Sequence, residues 1–319
     1  MPGSKPRILI IATGGTIAGL GDAASQITGY RAASLDVGTL LAAVPDIHEL
    51  AEISTDQLYA IDSAHVTGAH WQMLARRVNA AMDDASVDGI VILHGTDTLE
   101  ETAWFLHLTM QGDKQLVLTG AMRPATALSA DGPMNLFHAV AVAANPTMRG
   151  LGAVVVFGDA VLSARGLMKR DSTPAAFDAD QCGRLGIIQS RSLTLLQRPT
   201  GRQGGFSVPD RLPKVPLLYA YADLDPVLIG RFSEGADGLV IASVGNGTLR
   251  PDWLDALNKA QKTGTMVVIA SRVPNTVVPQ TEGLVSALHH TPPQARVQLQ
   301  LALAATRDPE EIQRIYAIY

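Results

Sequence analysis

Short apolar runs recur along the 319-residue chain, and most of them are rich in Val and Ile and continuous rather than alternating. Strands that are buried on both faces of a parallel sheet show this pattern, whereas strands with one wet face alternate apolar and polar residues. The predicted strands are Ile8–Ala12, Ile90–Leu93, Leu116–Leu118, Ala153–Phe157, Gly186–Ile188, Leu217–Tyr221, Leu239–Ala242 and Met266–Ala270. The pattern therefore predicts a sheet whose strands run mostly parallel.

Segments with helical periodicity lie between the predicted strands. In the segment Trp71–Met82, one apolar face is formed by Met73, Leu74, Val78 and Ala81. N-terminal capping chemistry predicts two further helix starts, at Thr98–Glu101 and at Thr291–Gln294. The alternation of strands and helices predicts an α/β fold, with a larger N-terminal domain on a mostly parallel sheet flanked by helices and a smaller C-terminal α/β domain.

The segment 197–215 interrupts this alternation. It carries Pro199, Pro209 and Pro213 together with several glycines and basic side chains, and it holds few apolar residues. Such a composition is typical of a linker between domains. We therefore expect a first domain over residues 1–196 and a second over residues 216–319.

The composition of the chain excludes some classes of partner. Hydrophobic residues make up 47% and charged residues 17%, which supplies a large core and argues against disorder. The formal net charge is −5, and Lys and Arg are scattered rather than clustered. We therefore expect neither nucleic acid nor an anionic membrane surface as a partner.

Cysteine content and hydropathy bear on the location of the protein. Cys182 is the single cysteine, so no intramolecular disulfide can form, which fits a reducing compartment. The apolar run Ile8–Ala12 is too short for the core of a signal peptide, and no stretch reaches the roughly 20 apolar residues of a membrane-spanning helix. We expect a cytoplasmic protein, with a periplasmic location as the less favoured alternative.

A glycine-rich turn follows the first predicted strand and reads Ala-Thr-Gly-Gly-Thr-Ile-Ala-Gly over residues 12–19. Its glycines allow a sharp turn that leaves backbone N–H groups open to a ligand. Thr13 and Thr16 would then lie at the carboxyl edge of the sheet, where open α/β folds bind ligands. The spacing fits neither a dinucleotide-binding turn nor a P-loop. A tight turn whose threonines cap backbone groups is an equally good interpretation of this motif alone.

A second turn, His94–Thr98, follows the predicted strand that ends at Leu93. Thr96 and Asp97 come directly before a predicted helix, whose N-terminus favours an ionised carboxylate and supports backbone donors to an oxyanion. Helix capping alone is the alternative interpretation. Two Gly-Thr turns at neighbouring strand ends are harder to explain by capping.

Lys169 is a candidate base in the segment Arg165–Asp171. A lysine in a partly desolvated pocket can be kept neutral and can then accept a proton. A solvated surface lysine is the alternative.

These motifs belong to a larger set with which the chain resembles the bacterial L-asparaginases, most closely the type II branch. The set comprises residues 12–19 and 94–98, Glu100–Ala103, Gly120–Pro124, Ser129–Pro133 and Gly245–Gly247. The resemblance extends through Ser271–Pro274 and Ala295-Arg296 to Tyr319 and so covers nearly the whole chain. Each motif alone is modestly specific, but their order along the chain is highly specific.

The resemblance implies a threonine-nucleophile amidohydrolase that converts L-asparagine to L-aspartate and ammonia without a metal or an organic cofactor. It implies that Thr16 is the nucleophile and that Tyr30 assists it from a flexible lid over residues 19–30. It also implies that Thr96, Asp97 and Lys169 form a proton relay that activates water or the nucleophile.

For the substrate, the resemblance implies that Ser63 holds the α-carboxylate of asparagine and that Asp97 holds its α-amino group. The oxyanion region would be lined by backbone groups near Gly15, Thr16, Thr96 and Ala121. The resemblance also implies a homotetramer, a dimer of intimate dimers. In it, Asn246 supports the substrate side of a neighbouring subunit's site.

The chain departs from the family pattern at two places. Ala64 follows Ser63 where relatives often have Gln or Glu, so one polar contact to the backbone of the substrate is missing. The stretch after Pro274 is short, and Glu282 best matches the family glutamate that reaches into a neighbour's site.

Other functions are less well supported by the sequence. A His-Glu-x-x-His pattern is absent, which argues against zinc, and so is the Gly-x-Ser-x-Gly pattern of an α/β-hydrolase nucleophile. A dual glutaminase-asparaginase is the nearest alternative. From another class, a non-enzymatic amino-acid binding protein also combines two α/β domains, and a nucleotide-binding protein is a more distant third.

Overall fold

The computed structural model describes residues 4–179, 183–199 and 203–319. The chain forms two compact units, Met1–Gly205 and Phe206–Tyr319, so their boundary falls inside the segment 197–215. Cys182, on which the argument about disulfides depends, lies outside the described residues.

A large sheet organises the first unit. Its strands are β1 (Arg7–Gly14), β2 (Glu52–Ile61), β3 (Gly89–Leu93), β4 (Gln115–Thr119), β5 (Ala153–Phe157), β6 (Ala160–Ser163), β9 (Arg184–Gln189) and β10 (Ser192–Leu195). In the described residues these eight strands lie in the order β10-β9-β6-β5-β4-β3-β1-β2. The pairs from β2 to β5 are parallel, and β6, β9 and β10 join in antiparallel pairs. The predicted mostly parallel sheet is thus confirmed.

Burial explains which strands could be recognised from the sequence. Every residue of β3, β4 and β5 is buried, because these strands lie in the middle of the sheet with helices over their faces. β2 lies at the edge, and none of its residues is fully buried. Its sequence therefore lacks a continuous apolar run, and the prediction missed it.

Five helices belong to the described part of the first unit: α1 (Val37–Ala42), α2 (Ile47–Leu50), α3 (Gly68–Asp83), α4 (Leu99–Thr109) and α5 (Gly132–Ala143). α5 packs on β3, β4 and β5, and α3 packs on α4. The predicted apolar face of α3 buries Leu74, Val78 and Ala81, but Met73 is 47% exposed, so its assignment to that face was wrong.

The start of α4 agrees with the prediction, but its capping does not. The Thr98 side chain accepts no backbone N–H of the helix, so the predicted capping box does not form. Its hydroxyl instead donates to the Ser63 carbonyl, 2.9 Å away, because the loop after β2 packs against this turn. Near the end of the chain, Thr291 does accept the Gln294 N–H, as predicted.

The second unit is built on a smaller sheet. Its strands are β11 (Leu217–Tyr219), β12 (Gly238–Ser243), β13 (Met266–Ser271) and β14 (Val285–Ser286). They pair in parallel in this order, as expected for a separate α/β domain. Its helices are α6 (Val227–Ser233), α7 (Pro251–Lys262), α8 (Pro292–Ala305) and α9 (Pro309–Ile318).

The first unit also contains a short hairpin, in which β7 (Met168–Lys169) pairs with β8 (Phe177–Asp178). None of the helices in the described residues is long and apolar enough to cross a membrane.

Candidate active site

The turn after β1 touches the turn after β3. Gly14 and Gly15 have φ angles of 106° and 85°, which side-chain-bearing residues rarely adopt. A Cβ atom on Gly15 would lie 2.3 Å from the Cα atom of Gly95, so no side chain fits between the two turns. The two glycines therefore let the turn that carries Thr16 pack directly against the turn that carries Thr96, at the carboxyl edge of the sheet.

The Thr16 hydroxyl is buried and bonded to a phenol. Its Oγ1 atom lies 2.6 Å from the Tyr30 hydroxyl oxygen, and either oxygen can donate the hydrogen bond. Partial burial raises the pKa of Tyr30, while the bond to Thr16 opposes that rise. The carboxylates of Asp97, Asp62 and Asp131 raise the pKa further. The phenol is therefore held in its protonated form.

Tyr30 lies at the end of a loop that folds back on itself. The backbones of Leu20 and Arg31 exchange hydrogen bonds of 2.9 and 3.0 Å. The Gln26 side chain closes the loop, since its Oε1 accepts the Asp22 N–H at 2.6 Å and its Nε2 donates to the Gly29 carbonyl at 3.0 Å. The sequence analysis assigned no role to Gln26, because its partners are backbone groups of a folded loop.

The segment 125–128 attaches this loop to the rest of the unit. The Thr126 hydroxyl accepts the Gly21 N–H at 2.9 Å, and the Ala125 N–H donates to the Gly19 carbonyl at 3.0 Å. Thr126 is thus a contact residue of the lid that the sequence motifs did not reveal.

Lys169 brings a second group of polar atoms together. Its Nζ atom donates to Thr96 Oγ1 at 2.8 Å and to Asp97 Oδ1 at 2.5 Å. The Lys169 side chain is 23% exposed, which excludes the interpretation as a freely solvated surface lysine. Lys169 thus forms an ion pair with Asp97.

Ser63 connects the loop after β2 to this group. Its hydroxyl oxygen accepts the Asp97 N–H at 3.1 Å, which leaves the hydroxyl proton for another acceptor. Ser63 opens a short 3-10 helix capped by Asp62, whose carboxylate accepts the Ala64 N–H at 3.0 Å. The Ala64 methyl is exposed next to these polar groups.

Two of the predicted oxyanion positions have defined partners. The Gly15 N–H donates to the Ile61 carbonyl at 3.0 Å, so this N–H is already used and differs from the expected free donor. Ala121 is fully buried in a turn held by Asp131, whose carboxylate accepts the Met122 and Arg123 N–H groups at 2.9 Å.

His94 is a buried residue whose part in the site the sequence analysis missed. Burial lowers the pKa of its imidazole to about 4, so the ring is neutral. Its Nδ1 lies 2.6 Å from the Gly95 carbonyl, which can only accept, so Nδ1 carries the proton. Nε2 then accepts the Thr102 hydroxyl at 3.2 Å, and Thr102 accepts the Trp71 N–H at 2.9 Å. This series of hydrogen bonds connects the Gly95 backbone to α3 and α4 and so fixes the turn after β3.

Asn246 and Glu282 belong to the second unit. Asn246 lies in the turn after β12, and Glu282 lies in the turn before β14. Both are exposed. Their assigned roles toward a neighbouring subunit stay predictions. Within residues 4–179, 183–199 and 203–319, no group of three or more His, Cys, Asp or Glu side chains is arranged to hold a metal ion.

The fold and this site define a class of protein. It is an α/β enzyme in which a hydroxyl, a phenol and an amine lie within hydrogen-bond distance of their partners at the carboxyl edge of a parallel sheet.

Comparison with known proteins identifies the family. Residues 7–201 match the family model Asparaginase, N-terminal, and residues 214–316 match Glutaminase/Asparaginase C-terminal domain. The chain belongs to the asparaginase family, as the sequence motifs predicted.

Relatives of known name are similar over nearly the full chain. L-asparaginase 2 of Escherichia coli (strain K12) is 41% identical over 329 residues, which cover 98% of this chain and 93% of that protein. The probable L-asparaginase periplasmic of Haemophilus influenzae is 42% identical over 326 residues, covering 98% of this chain and 92% of that one. The crystal structure of the probable cytoplasmic L-asparaginase from Campylobacter jejuni shares the fold with a TM-score of 0.95 and 40% identity, covering 99% of this chain and 100% of that one.

Proposed function

We propose that this chain hydrolyses the side-chain amide of L-asparagine to L-aspartate and ammonia, with Thr16 as the nucleophile. The observation that carries the proposal is the 2.6 Å hydrogen bond between the buried Thr16 hydroxyl and Tyr30, in a chain of the asparaginase family. A threonine hydroxyl is a weak nucleophile, so a partner that can take and return its proton is required.

The first step transfers the acyl group to the enzyme. Thr16 Oγ1 attacks the side-chain carbonyl carbon, and its proton passes through the Tyr30 oxygen to the amide nitrogen. The carbon–nitrogen bond then breaks, and ammonia leaves an ester on Thr16. Backbone N–H groups of Thr16 and Thr96 are the proposed donors to the oxyanion, since the Gly15 N–H is already bonded to Ile61.

The second step releases the product. Water attacks the ester carbon, and its proton passes to the group formed by Thr96, Asp97 and Lys169. The ester bond to Thr16 breaks as this group returns that proton to Thr16 Oγ1, and the product leaves as aspartate once its new carboxyl group has released the second proton of the water to solvent. The short contacts of Lys169 Nζ to Thr96 and Asp97 support this assignment, because they form one connected path for a proton.

The α-carbon end of the substrate is held by polar groups around Ser63. Its hydroxyl proton is free to bind the α-carboxylate, because its oxygen accepts from the Asp97 N–H. The Asp97 carboxylate is 58% exposed and can bind the α-amino group. Asn246 and Glu282 would complete this site from a neighbouring copy in a homotetramer.

We also propose a cytoplasmic location, supported by the single cysteine of the chain and by the similarity to the Campylobacter jejuni protein. Recovery of the protein in the periplasmic fraction after cell fractionation would contradict this location.

A dual glutaminase-asparaginase is the second candidate function, since the matching C-terminal family model covers both activities in its description.

Steady-state ammonia release from L-asparagine and L-glutamine, measured side by side, tests the proposal. Rapid release from asparagine with stoichiometric aspartate is expected. Binding of asparagine without ammonia release would instead identify an amino-acid binding protein. Equal values of kcat/KM for both amides would identify the dual enzyme.

A sedimentation measurement on the same sample tests the proposed homotetramer, and a monomer would contradict it.

A further inference from the structure

Glu100 is a half-buried acidic group that the proposed reaction does not use. It lies in the first turn of α4, directly after the Thr96–Asp97 turn. Its Oε2 atom accepts the backbone N–H of Lys169 at 2.6 Å, although the two residues are 69 positions apart in the chain. Lys169 is therefore held at both ends, at its backbone by Glu100 of α4 and at its Nζ atom by Thr96 and Asp97 in the turn before α4.

The hairpin that carries Lys169 is short and depends on such a contact. β7 contains two residues, and among the described residues it pairs with the two residues of β8 and no other strand. Its pairing places Lys169 opposite Phe177, and the Arg170 N–H donates to the Ala176 carbonyl at 2.7 Å. On the side that faces α4, the Lys169 backbone N–H is bonded to the Glu100 carboxylate.

The charge state of Glu100 responds to pH in the neutral range. Burial raises the pKa of its carboxyl to about 7, and the charge of Glu101 adds to that rise. The bond to the Lys169 N–H, and the charges of Lys169 and Arg170, oppose it.

The other elements packed on α4 have little effect on the pKa of Glu100. β5 carries no titratable side chain, since its sequence is Ala-Val-Val-Val-Phe. On α3, Arg77 pairs with Asp56 and His70 bonds to Thr67. The pKa of Glu100 is therefore set by its desolvation, by its bond to the Lys169 N–H and by the charges of Glu101, Lys169 and Arg170.

We propose that Glu100 is a positioning residue that fixes the backbone of Lys169, and that its uptake of a proton loosens the hold on the Lys169–Thr96–Asp97 group. The proposal rests on the proposed function, because it concerns the efficiency of that group as a relay. An ionised carboxylate accepts a hydrogen bond more strongly than a neutral carboxylic acid does. Below about pH 7 the Lys169 backbone is held weakly, and above it the hold is strong. The value of kcat therefore rises as the pH rises through this range.

The test compares the pH dependence of kcat and KM for asparagine between pH 5 and 9 in the full-length protein and in Glu100→Gln and Glu101→Gln. The amide of Glu100→Gln can still accept the Lys169 N–H but cannot titrate, so the inflection of kcat near neutral pH is expected to disappear. Glu101→Gln is the matched control, since it removes a neighbouring charge but not the bond to Lys169. It is expected to keep the inflection and to move it to lower pH.

A third variant tests the contact itself. Glu100→Ala removes the acceptor, and kcat is expected to fall by about tenfold above pH 7, where the wild-type carboxylate is ionised, and by less below pH 7, with KM changed less than kcat. Glu100→Gln should recover most of that loss at low pH. An unchanged inflection in Glu100→Gln would overturn the proposal, and so would a kcat in Glu100→Ala equal to that of the wild type.

A readout independent of turnover separates this proposal from the proposed function. The amide resonance of Lys169, observed by selective 15N-lysine labelling and assigned by its loss in Lys169→Met, should shift with pH through the neutral range in the wild type and not in Glu100→Gln. A wild type without asparaginase activity refutes the function. A Lys169 amide that does not respond to pH refutes the role of Glu100.

Discussion

The two halves of the site are attached to the protein in different ways. Tyr30 reaches Thr16 from a loop whose residues are largely exposed and whose contacts to the segment 125–128 are few. Lys169 is held by α4 and by the turn after β3, whose residue Thr96 is 4% exposed. Local opening requires little free energy where buried contacts are few, so the first half can open while the second stays in place.

This difference separates the two steps of the proposed reaction. In the proposed reaction the half with Tyr30 activates the nucleophile, and we propose that it moves to let the substrate enter. In the same proposal the half with Lys169 acts on water after ammonia has left, and its hydrogen bonds to Thr96 and Asp97 are already formed in this structure. Substitutions in the mobile half are therefore expected to alter KM more, and substitutions in the rigid half to alter kcat more.

The largest effect is expected for Thr16→Ala. Loss of the nucleophile should lower kcat by about a thousandfold or more, because the covalent route is removed. The fold should be retained, since only a hydroxyl and a methyl are lost at the end of β1. Ammonia release and thermal unfolding check both statements. Retention of a tenth or more of the wild-type kcat would show that Thr16 is not the nucleophile.

Thr13→Val is the matched control for that variant. The Thr13 hydroxyl lies three residues earlier and donates to the Leu93 carbonyl at 2.8 Å, inside the sheet. Its removal should lower the free energy of unfolding by about 1 kcal/mol and leave kcat within about twofold. A comparable loss of activity in both variants would indicate damage to the strand rather than to the chemistry.

Lys169→Met tests the rigid half. The value of kcat should fall by about a hundredfold, and KM should change far less, because a proton relay acts mainly in the transition state. Arg170→Met is the control, since Arg170 is the exposed neighbour and its guanidinium cannot lose a proton near neutral pH. At pH 9, where Glu100 is ionised, Arg170→Met should keep kcat within about twofold of the wild type. A wild-type kcat in Lys169→Met would leave this lysine as a structural partner of Asp97.

Thr126→Val tests the mobile half. The substitution removes the acceptor of the Gly21 N–H. Loss of this hydrogen bond should weaken the attachment of the loop to the segment 125–128 by about 1 kcal/mol. KM for asparagine should rise by about fivefold, with kcat nearly constant. Thr147→Val, which alters an exposed threonine bonded to Asn145, should change neither constant. An equal fall of kcat in Thr126→Val would show that the lid takes part in the chemical step.

The parts of the fold that could be predicted are those determined by residues close together in the sequence. β1 and β3 to β5 are continuous apolar runs because both faces are covered, and the glycine turns after β1 and β3 follow from backbone conformation. β2 could not be predicted, because its burial depends on an edge position that only the assembled sheet defines. Thr98 looks like a helix cap in sequence, and only the approach of Ser63 explains why it is not.

The same limit applies to the site. Family motifs indicated Thr16, Thr96, Asp97 and Lys169, and the structure brings them into two hydrogen-bonded groups. The contacts that support those groups were not predicted, because each joins residues far apart in the chain. The bond between Glu100 and Lys169, and that between Gly21 and Thr126, leave no pattern in a single sequence.

The smallest effect is expected at Ala64, beside the rigid half. Its methyl cannot form a hydrogen bond to the α-carbon end of the substrate, and its N–H is held by Asp62. The position is exposed, so a longer side chain fits without disturbing the core. Glutamine has one more methylene than asparagine and depends more on firm anchoring of its α-carbon end. The weak anchor should therefore penalise glutamine more than asparagine in the wild type.

Ala64→Gln restores a polar group at that position. The value of kcat/KM should rise for both substrates, and the ratio for glutamine over asparagine should increase by about threefold, since a hydrogen bond to a charged group is worth about 1.5 kcal/mol or more and only part of it is selective. Ala64→Met is the control, because it adds similar length without a hydrogen bond and should leave the ratio unchanged. Competition between the two amides in one reaction measures the ratio directly. A wild type that cleaves both amides with similar kcat/KM would show that another group, such as Asp62 or a residue of a second copy, already anchors the substrate where the family amide is missing.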